Sequence, residues 1–436
     1  MSSENRSPVL PLLMLGVSLA FGFVGYSLGF QWGRVSGADD VDKVRVACDR
    51  IKERYYGTAP TDKVVDGALE GMIAKLDPFC EYFTAQEFRE FDQTHLKGKF
   101  GGVGILLGSD RATGYLVVET PIEDTPAFAA DILPGDLIRE VDGASIKGQP
   151  FQDVVRRIKG DPGSEVTLTI ARKGRDLFKV TLKRAVIQVK AVKARMLPGG
   201  VGYVRITDFT EMMKSFDEEV KKLQAQGMTS IVIDLRFNGG GLLNECVKLA
   251  DRFLDDGIIV TTRGRTSDDS RSFTAEKGDT LPPMPVVVLV NEATASASEI
   301  FAGAMKDRGR AKIVGARTYG KGSVQTPFEL PDKSYLKITT ARYYTPSGVS
   351  VHREEGKKEF GIDPDYRVEM SQEEYAKLMK QWNAERIVKG EKVPGPEGFV
   401  DHQLEAGLEV LKAALEKREP RVAARVLEKE AKPQEN

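Results

Sequence analysis

Two apolar runs limit what this chain can fold into more than any other feature. Residues 230–234 read Ser-Ile-Val-Ile-Asp and lead into Asn238-Gly239-Gly240-Gly241; residues 286–290 read Val-Val-Val-Leu-Val and lead into Asn291. Neither run alternates with polar residues along its apolar stretch, so a strand made from it must be covered on both faces. That is the pattern of a buried, largely parallel sheet with helices on either side. The segments around the runs agree: "EMMKSFDEEVKKLQAQG", "LLNECVKLADRFL" and "SASEIFAGAMKDRG" have helical spacing, and "GVGYVRITDF" and "AKIVGARTYG" read as further strands. Ahead of this alternation, "GYLVVETP" and "SEVTLTIAR" read as strands with the short helix "PFQDVVRRIKG" between them, enough for a small self-contained β domain. Still earlier, "VDKVRVACDRIKERYY" and "TDKVVDGALEGMIAKL" are helical, with Thr61 predicted as an N-cap and Asp77-Pro78 as a stop. The tail contains an amphipathic helix, "HQLEAGLEVLKAALEKRE", before a frayed end. The predicted class is α/β within a multidomain α+β chain, divided as 1–38, 39–97 (helical), 98–184 (β domain), 185–365 (parallel-sheet core) and 366–436 (helical, frayed at its end).

The first segment has its own constraint. No charged residue occurs between Arg6 and Arg34, and Val9 to Phe30 covers 22 residues. As a helix rising ~1.5 Å per residue it spans about 33 Å, enough for a hydrocarbon layer of about 30 Å. Trp32 suits an interfacial anchor, and Gly25 and Gly29 form a GxxxG pair. A signal anchor is the preferred reading, with the soluble part outside the cytoplasm, on the periplasmic or extracellular side. A cleaved secretory signal competes, because Ser36-Gly37-Ala38 resembles a cleavage site.

Composition removes several function classes. Lys plus Arg total 63 and Asp plus Glu 64, a net charge of −1, which does not suit a nucleic-acid binder or a disordered polyelectrolyte. The three cysteines, Cys48, Cys80 and Cys246, are far apart with no CxxC, and whether Cys48 and Cys80 pair is open. The three histidines form no HExxH, so no metal or cofactor is expected.

Sites on parallel sheets lie beyond the carboxyl ends of the strands. Three such ends carry chemistry here. Glycines 239–241 can turn backbone N–H groups toward a ligand. Ser296 and Ser298 lie where a strand gives way to a helix start, with N–H groups nearby to hold an oxyanion. Gly315 to Lys321 matches GxxxxGK, but Gly322 replaces the Ser/Thr that binds magnesium in a nucleotide loop, and "SVQTPFEL" after it reads as a strand. A serine nucleophile needs a base. His95, His352 and His402 are poorly placed in the sequence, so Lys321 is the better partner. It must work as a neutral amine, which burial among apolar groups promotes. Gln325, an even number of residues on, shares a face with Lys321 if the stretch is extended, and could orient it.

With these residues in view, the chain from about 40 to 411 resembles the carboxyl-terminal processing peptidases, also called tail-specific proteases. The motifs "DGALEGMIAKLDPF", "FGGVGILL", "ILPGDLIREVDG", "GYVRITDF", "IVIDLRFNGGGLL", "VVLVNEATASASEIFAGAMKD", "TYGKGSVQT", "YYTPSG", "GIDPD" and "DHQLEAGLEVL" occur in that family's order. The resemblance implies a serine endopeptidase with a PDZ domain and a Ser–Lys dyad. Ser296 would be the nucleophile, with Ser298 as its rival, Lys321 the general base and Gln325 its support. The N–H of Ala297 and a glycine of the Gly240-Gly241 pair would form the oxyanion hole. It further implies that Gly101, Gly102, Val103, Gly104 and Ile105 offer N–H groups to a substrate's C-terminal carboxylate, and that an apolar pocket takes its last side chain. Substrates would be proteins or peptides with apolar C-termini. A homodimer and an adaptor protein are further partners the reading allows. A non-catalytic PDZ scaffold, or a dormant protease awaiting an adaptor, is the competing class. The sequence departs from the family at Cys80, at Glu292-Ala293 and in the long charged stretch between Gly348 and Gly361.

Overall fold

The computed structural model describes residues 41–418, except 94–98, 111–112, 123–124, 134, 173, 189, 279–280, 385–386, 389–390 and 393–397. The chain divides into two compact units, 1–84 and 85–436. The membrane segment expected over Val9 to Phe30, its GxxxG pair and His95 lie outside the described residues. No described helix is long and apolar enough to cross a membrane.

In the first unit, helix α1 covers 41–54, α2 covers Thr61–Ile73 and strand β1 covers Glu81–Phe83. Tyr82 Oη donates to Asp66 at 2.6 Å and ties β1 to α2. Thr61 is not the N-cap. The Pro60 carbonyl accepts Val64 N at 3.1 Å and begins the ladder, which makes Thr61 the first helical residue. The helix ends before Asp77-Pro78, where Asp77 Oδ1 accepts Phe79 N in a tight turn. Of the apolar stripe of α1, Val41, Val44 and Ile51 remain exposed.

The second unit opens with α3 (Ala85–Phe91) and β2 (Lys99–Gly102). The β domain follows: β3 (Ile105–Asp110), β4 (Tyr115–Pro121), α4 (Pro126–Ala129), β5 (Leu137–Val141), β6 (Ala144–Ser145), α5 (Phe151–Ile158), β7 (Glu165–Arg172) and β8 (Arg175–Lys183). Its antiparallel sheet runs β3-β4-β5-β7-β8, with β6 on β5, so β3 is an edge strand. Val118, Ile138, Leu168 and Ile170 pack with Val154 and Ile158 of α5 in its core. β9 (Ala185–Gln188) returns to pair with β2 and closes the domain at its base.

The core sheet contains β10 (Val192–Leu197), β11 (Val201–Ile206), β12 (Ser230–Asp234), β15 (Val286–Val290), β16 (Lys312–Gly315) and β19 (Tyr366–Arg367), in that spatial order. Pairing is antiparallel between β10 and β11 and parallel at every other step. Helices α6 (Met213–Ala225), α7 (Leu243–Asp251) and α8 (Ala297–Asp307) cover one face, and α10 (His402–Leu415) covers the other. The two-residue side-chain period explains the unbroken apolar runs. Ile231, Ile233, Val286 and Val288 enter the core under the three helices, while Val232, Val287 and Leu289 enter the core under α10. Each such buried side chain contributes about 1.5–3 kcal/mol.

One part of the fold was not anticipated. β13 (Ile258–Gly264), β14 (Arg271–Thr274), β17 (Ser323–Glu329) and β18 (Tyr335–Tyr344) pair antiparallel in a second sheet, with β18 between β17 and β13. Most of its residues are half-buried or exposed, so its strands lack the apolar signature of the core sheet.

A buried ion network holds α10 on the sheet. Arg236 donates to Asp234 Oδ2 at 2.6 Å and to both oxygens of Asp401, the N-cap of α10, at 2.8 Å. Burial works against the charge on Asp401, but the Arg236 guanidinium outweighs it and keeps that carboxyl below its usual range. Helix α9 (Gln372–Ala384) adds Tyr375 and Trp382, whose rings meet Phe237 edge-on at 5.1 and 5.9 Å.

Candidate active site

Four loops leave the carboxyl ends of β11, β12, β15 and β16, and every catalytic residue expected in the core lies on or just beyond them. The loop after β15 makes the sharpest turn. Ser296 has φ 56° and ψ −119°, a conformation that non-glycine residues rarely adopt and that costs on the order of 1–3 kcal/mol. Its neighbours hold it there. Ala295 N donates to Asn238 O at 3.0 Å, and Thr294 Oγ1 donates to Leu235 O at 2.9 Å. Asn291 Oδ1 accepts Phe237 N at 2.9 Å, which joins this loop to the one after β12. Glu292, where the sequence departs from its family, accepts Tyr375 Oη of α9 at 2.9 Å.

The loop after β12 is organised by Asn238, which is fully buried. Its Nδ2 donates to Ile206 O and its Oδ1 accepts Gly240 N, both at 2.9 Å. A Cβ on Gly240 would lie 2.7 Å from Ser296 Cβ and 3.0 Å from Ala297 N, so only glycine lets this backbone reach the nucleophile turn. The Gly240 amide is committed to Asn238, which removes it as a free donor in this conformation. The Gly241 and Ala297 amides are engaged by no described residue. Gly241 bridges to Phe209, but that bridge uses the Gly240 carbonyl and the Leu242 amide.

Ser298, the rival serine, is fully buried, and its hydroxyl donates to Asn238 O at 3.1 Å. It pins α8 to the glycine loop. Cys246 does similar work from α7, its thiol donating to Ala297 O at 3.0 Å. Burial pushes that thiol well above its ordinary range, which makes it unreactive. Cys48 and Cys80 form no disulfide with each other.

Glu299 joins the two halves of the site. It is fully buried, one turn into α8, and accepts Ser296 N at 2.9 Å, Thr318 Oγ1 at 2.6 Å, Gly320 N at 2.7 Å and Lys321 N at 2.8 Å. One oxygen, Oε2, holds both the Ser296 and the Lys321 amides, so the two backbone nitrogens lie less than about 6 Å apart. Burial raises the carboxyl, and the hydrogen bonds from Thr318, Gly320, Lys321 and Ser296 oppose the rise. The sequence reading missed this residue. The signal was present, because Ser296-x-x-Glu299 has capping-box spacing.

The lysine loop is fixed from its other side as well. Tyr319 N donates to Thr294 O at 3.0 Å, and Gly320 O accepts Arg353 N at 2.8 Å. Phe360 packs over Gly320, and Arg353 lies 4.0 Å from the Phe360 ring centroid. The charged stretch between Gly348 and Gly361 is therefore part of the wall of the lysine loop. His352, poorly placed as a base by its hydrophilic sequence context, has its backbone against the lysine loop: a Cβ on Gly322 would meet its backbone nitrogen at 2.6 Å. His402 is on α10, 3.4 Å from Glu405.

Gln325 does not relate to Lys321 in the way the even spacing suggested. Strand β17 begins only at Ser323, so Lys321 lies outside the strand that carries Gln325; the pairing shift beside Gln325 puts its extra residue, Thr340, on β18. The Gln325 amide donates to Ser323 Oγ at 2.9 Å and Thr339 Oγ1 at 3.1 Å.

In the β domain, the residues expected to bind a carboxylate fall on two strands and the turn between them. Gly101 and Gly102 belong to β2 and pair with Val186 and Ala185, and a Cβ on Gly101 would meet Gly160 O at 2.1 Å. Ile105 begins β3. The turn between the strands is Val103-Gly104, both buried, with Gly104 at φ 80° and its carbonyl accepting Ile122 N at 2.8 Å.

Comparison with known proteins adds family evidence. The profile of peptidase family S41 matches residues 200–368, that of the PDZ domain residues 117–172, and that of the activating protease CtpB N-terminal domain residues 31–87. A carboxy-terminal-processing protease of Bartonella bacilliformis is 40% identical over 328 residues, covering 74% of this chain and 73% of its own. The chain belongs to peptidase family S41. It is a serine-type C-terminal processing peptidase with a PDZ domain. Carboxy-terminal processing protease CtpA of Bacillus subtilis is 34% identical over 345 residues, covering 79% of this chain and 72% of its own. Among solved structures, the photosystem II D1 C-terminal processing protease is 31% identical and matches 73% of this chain and 86% of its own, at a TM-score of 0.45.

Proposed function

We propose that this peptidase cleaves protein substrates with a Ser296–Lys321 dyad, after the PDZ domain has taken their C-terminal tail, on the outer side of a membrane to which residues 9–30 anchor it. The observation that carries the dyad is the single Glu299 oxygen accepting both the Ser296 and Lys321 amides. Ser296 Oγ attacks the scissile carbonyl while the neutral Lys321 amine takes its proton and passes it to the leaving amine. Water, deprotonated by the same amine, then releases the acyl group. The developing oxyanion sits against the Ala297 amide and a glycine of the 240–241 pair, where Gly241 has the uncommitted N–H. Gln325, held on β17 by the hydroxyls of Ser323 and Thr339, is the residue assigned to support the lysine. Glu299 touches no substrate; it positions the two groups that do.

The PDZ reading draws on β3, whose open edge can add a peptide as a further strand, with the Val103-Gly104 amides at the end of that edge for a carboxylate. The test uses the full chain in detergent, intact and as Ser296→Ala and Lys321→Ala. The substrate is an unfolded reporter with an apolar C-terminus, and the control ends in two aspartates. The intact enzyme should cleave the apolar-tailed reporter, and each variant should lose about 10⁴-fold or more in kcat/KM. Retained activity in either variant would remove that residue from the dyad. Equal cleavage of both reporters would remove the tail-recognition step.

A further inference from the structure

The loop after β11 holds a carboxylate that the dyad does not use. Asp208 is mostly buried, and a Cβ on Gly241 would lie 2.8 Å from its Oδ1. Among the described residues, no side chain donates a hydrogen bond to it or forms an ion pair with it. The nearby Glu245 is occupied: it accepts Met212 N and Met213 N at the start of α6 and pairs with Lys248 at 2.7 Å. Gly240 and Gly241 separate Asp208 from the nucleophile. Adding the two close approaches to one Cα–Cα step puts its carboxylate within about 12 Å of Ser296 Cβ, roughly three extended residues of a bound chain.

A carboxylate left half out of water with no partner is an expensive arrangement. Burial pushes its carboxyl up to about 6, opposed only by the Phe209 amide, so at neutral pH and above it is charged and poorly solvated. A structural aspartate would have been given a donor by the fold, as Asp234, Asp401 and Glu299 have been. The missing partner is cationic or a strong donor, and the substrate is what reaches this edge of the glycine loop.

We infer that Asp208 selects substrates, taking the ammonium or guanidinium of a basic side chain that lies within about three residues of the scissile bond. This rests on the peptidase reading above and adds a second determinant to it. The PDZ domain reads the tail, and Asp208 reads a charge near the cut. Because a charge-assisted contact in a partly desolvated place is stronger than one at the surface, the discrimination should be readable as a rate ratio.

The experiment uses the full chain and a peptide set with one constant apolar C-terminus, so that tail binding cancels. A single lysine is moved through three positions on each side of the cut, and each peptide has a partner with norleucine in its place. At pH 8 the intact enzyme should favour lysine by about tenfold in kcat/KM at one position, and Asp208→Asn should bring that ratio close to one. Affinities of the same peptides for Ser296→Ala, with and without Asp208→Asn, give the same ratio without turnover and without altering the substrate series. Cleavage with no lysine preference at any position would overturn the role of Asp208 and leave the peptidase reading intact. A lysine preference that survives Asp208→Asn in both readouts would overturn it too. No cleavage of either series, with the lysine preference still present in binding and lost in Asp208→Asn, would support Asp208 and count against the dyad.

Discussion

Glu299 and Asp208 are both buried carboxylates at the same end of the parallel sheet, and the fold treats them in opposite ways. Glu299, following β15, accepts four hydrogen bonds, two of them from the amides of Ser296 and Lys321. Asp208, following β11, accepts none from any described side chain. Burial raises both carboxyl groups, but only for Glu299 does the surrounding structure answer with several donors. The difference separates a group that builds the site from one that the site leaves available. A polar side chain that assembles machinery must be satisfied before substrate arrives, whereas one that reads substrate must not be.

The largest expected effect comes from breaking the satisfied member. Glu299→Gln keeps the shape but turns one acceptor oxygen into an NH₂ that faces donors. Amides left without an acceptor cost about 1–3 kcal/mol each. We expect Glu299→Gln to unfold at clearly lower denaturant concentration and to lose about 10²-fold in kcat with a smaller change in KM, because it displaces both reacting groups together. Glu299→Asp, which keeps the charge, should recover part of the rate. If Glu299→Gln lowers stability but leaves kcat unchanged, the carboxylate is only a structural tie.

Substituting the unsatisfied member should do the reverse. The Asp208 carboxyl is raised from 3.8 to about 6, so the folded state is favoured by protonation: that stability is complete below pH 3.8 and is lost as pH rises through about 6. Above pH 6 the folded protein carries a charge it solvates poorly, and Asn does not. Asp208→Asn should therefore be more stable than the native chain by about 2 kcal/mol at pH 8, with the gap closing as pH falls from 6 toward 4. Urea midpoints across that range measure it. A destabilised Asp208→Asn at pH 8 would mean that the carboxylate already has a partner in the folded chain.

The PDZ domain extends the comparison to the proposed tail site, built from a turn and an edge strand. Gly104 turns the chain into edge strand β3 at φ 80°, and a Cβ there would meet Thr125 Cβ at 2.3 Å. Gly104→Val should distort the turn that presents the carboxylate-binding amides without touching the dyad. We expect about a tenfold loss in kcat/KM on the apolar-tailed reporter, carried by KM, and little change on the aspartate-tailed one. Equal losses on both reporters would mean that the domain supports the core and does not select tails.

What the sequence disclosed follows from how local each feature is. The parallel strands were legible because burial on both faces leaves runs such as Val286–Val290 with no polar interruption. The loops that carry Ser296 and Lys321 stood out because strand ends with glycine and serine are unusual. The Arg236–Asp401 pair joins residues 165 apart, and no local pattern announces it. His352 was misplaced for the same reason: its hydrophilic neighbours say nothing about Gly322, against which it packs. The face shared by Lys321 and Gln325 was conditional on an extended stretch, and β17 begins only at Ser323, so the period-two rule does not reach Lys321. Glu299 was missed although its spacing was visible, because the serine three residues earlier had already been assigned a chemical task and its capping geometry went unused.

The smallest effect tests whether satisfaction alone marks a structural group. Ser298 is as buried as Glu299 and bonds a backbone carbonyl rather than an amide of either reacting residue. Ser298→Ala removes one donor to Asn238 O, which still accepts Ala295 N. The net worth of such a bond is about 1 kcal/mol, and the substitution leaves no donor stranded. The variant should lose about that much stability and less than about threefold in kcat, against about 10⁴-fold for Ser296→Ala two residues away. If Ser298→Ala were instead as inactive as Ser296→Ala while remaining folded, the hydroxyl pinned to Asn238 would be essential to the geometry of the glycine loop, and the line between building the site and doing its chemistry would have to be moved inward by one side chain.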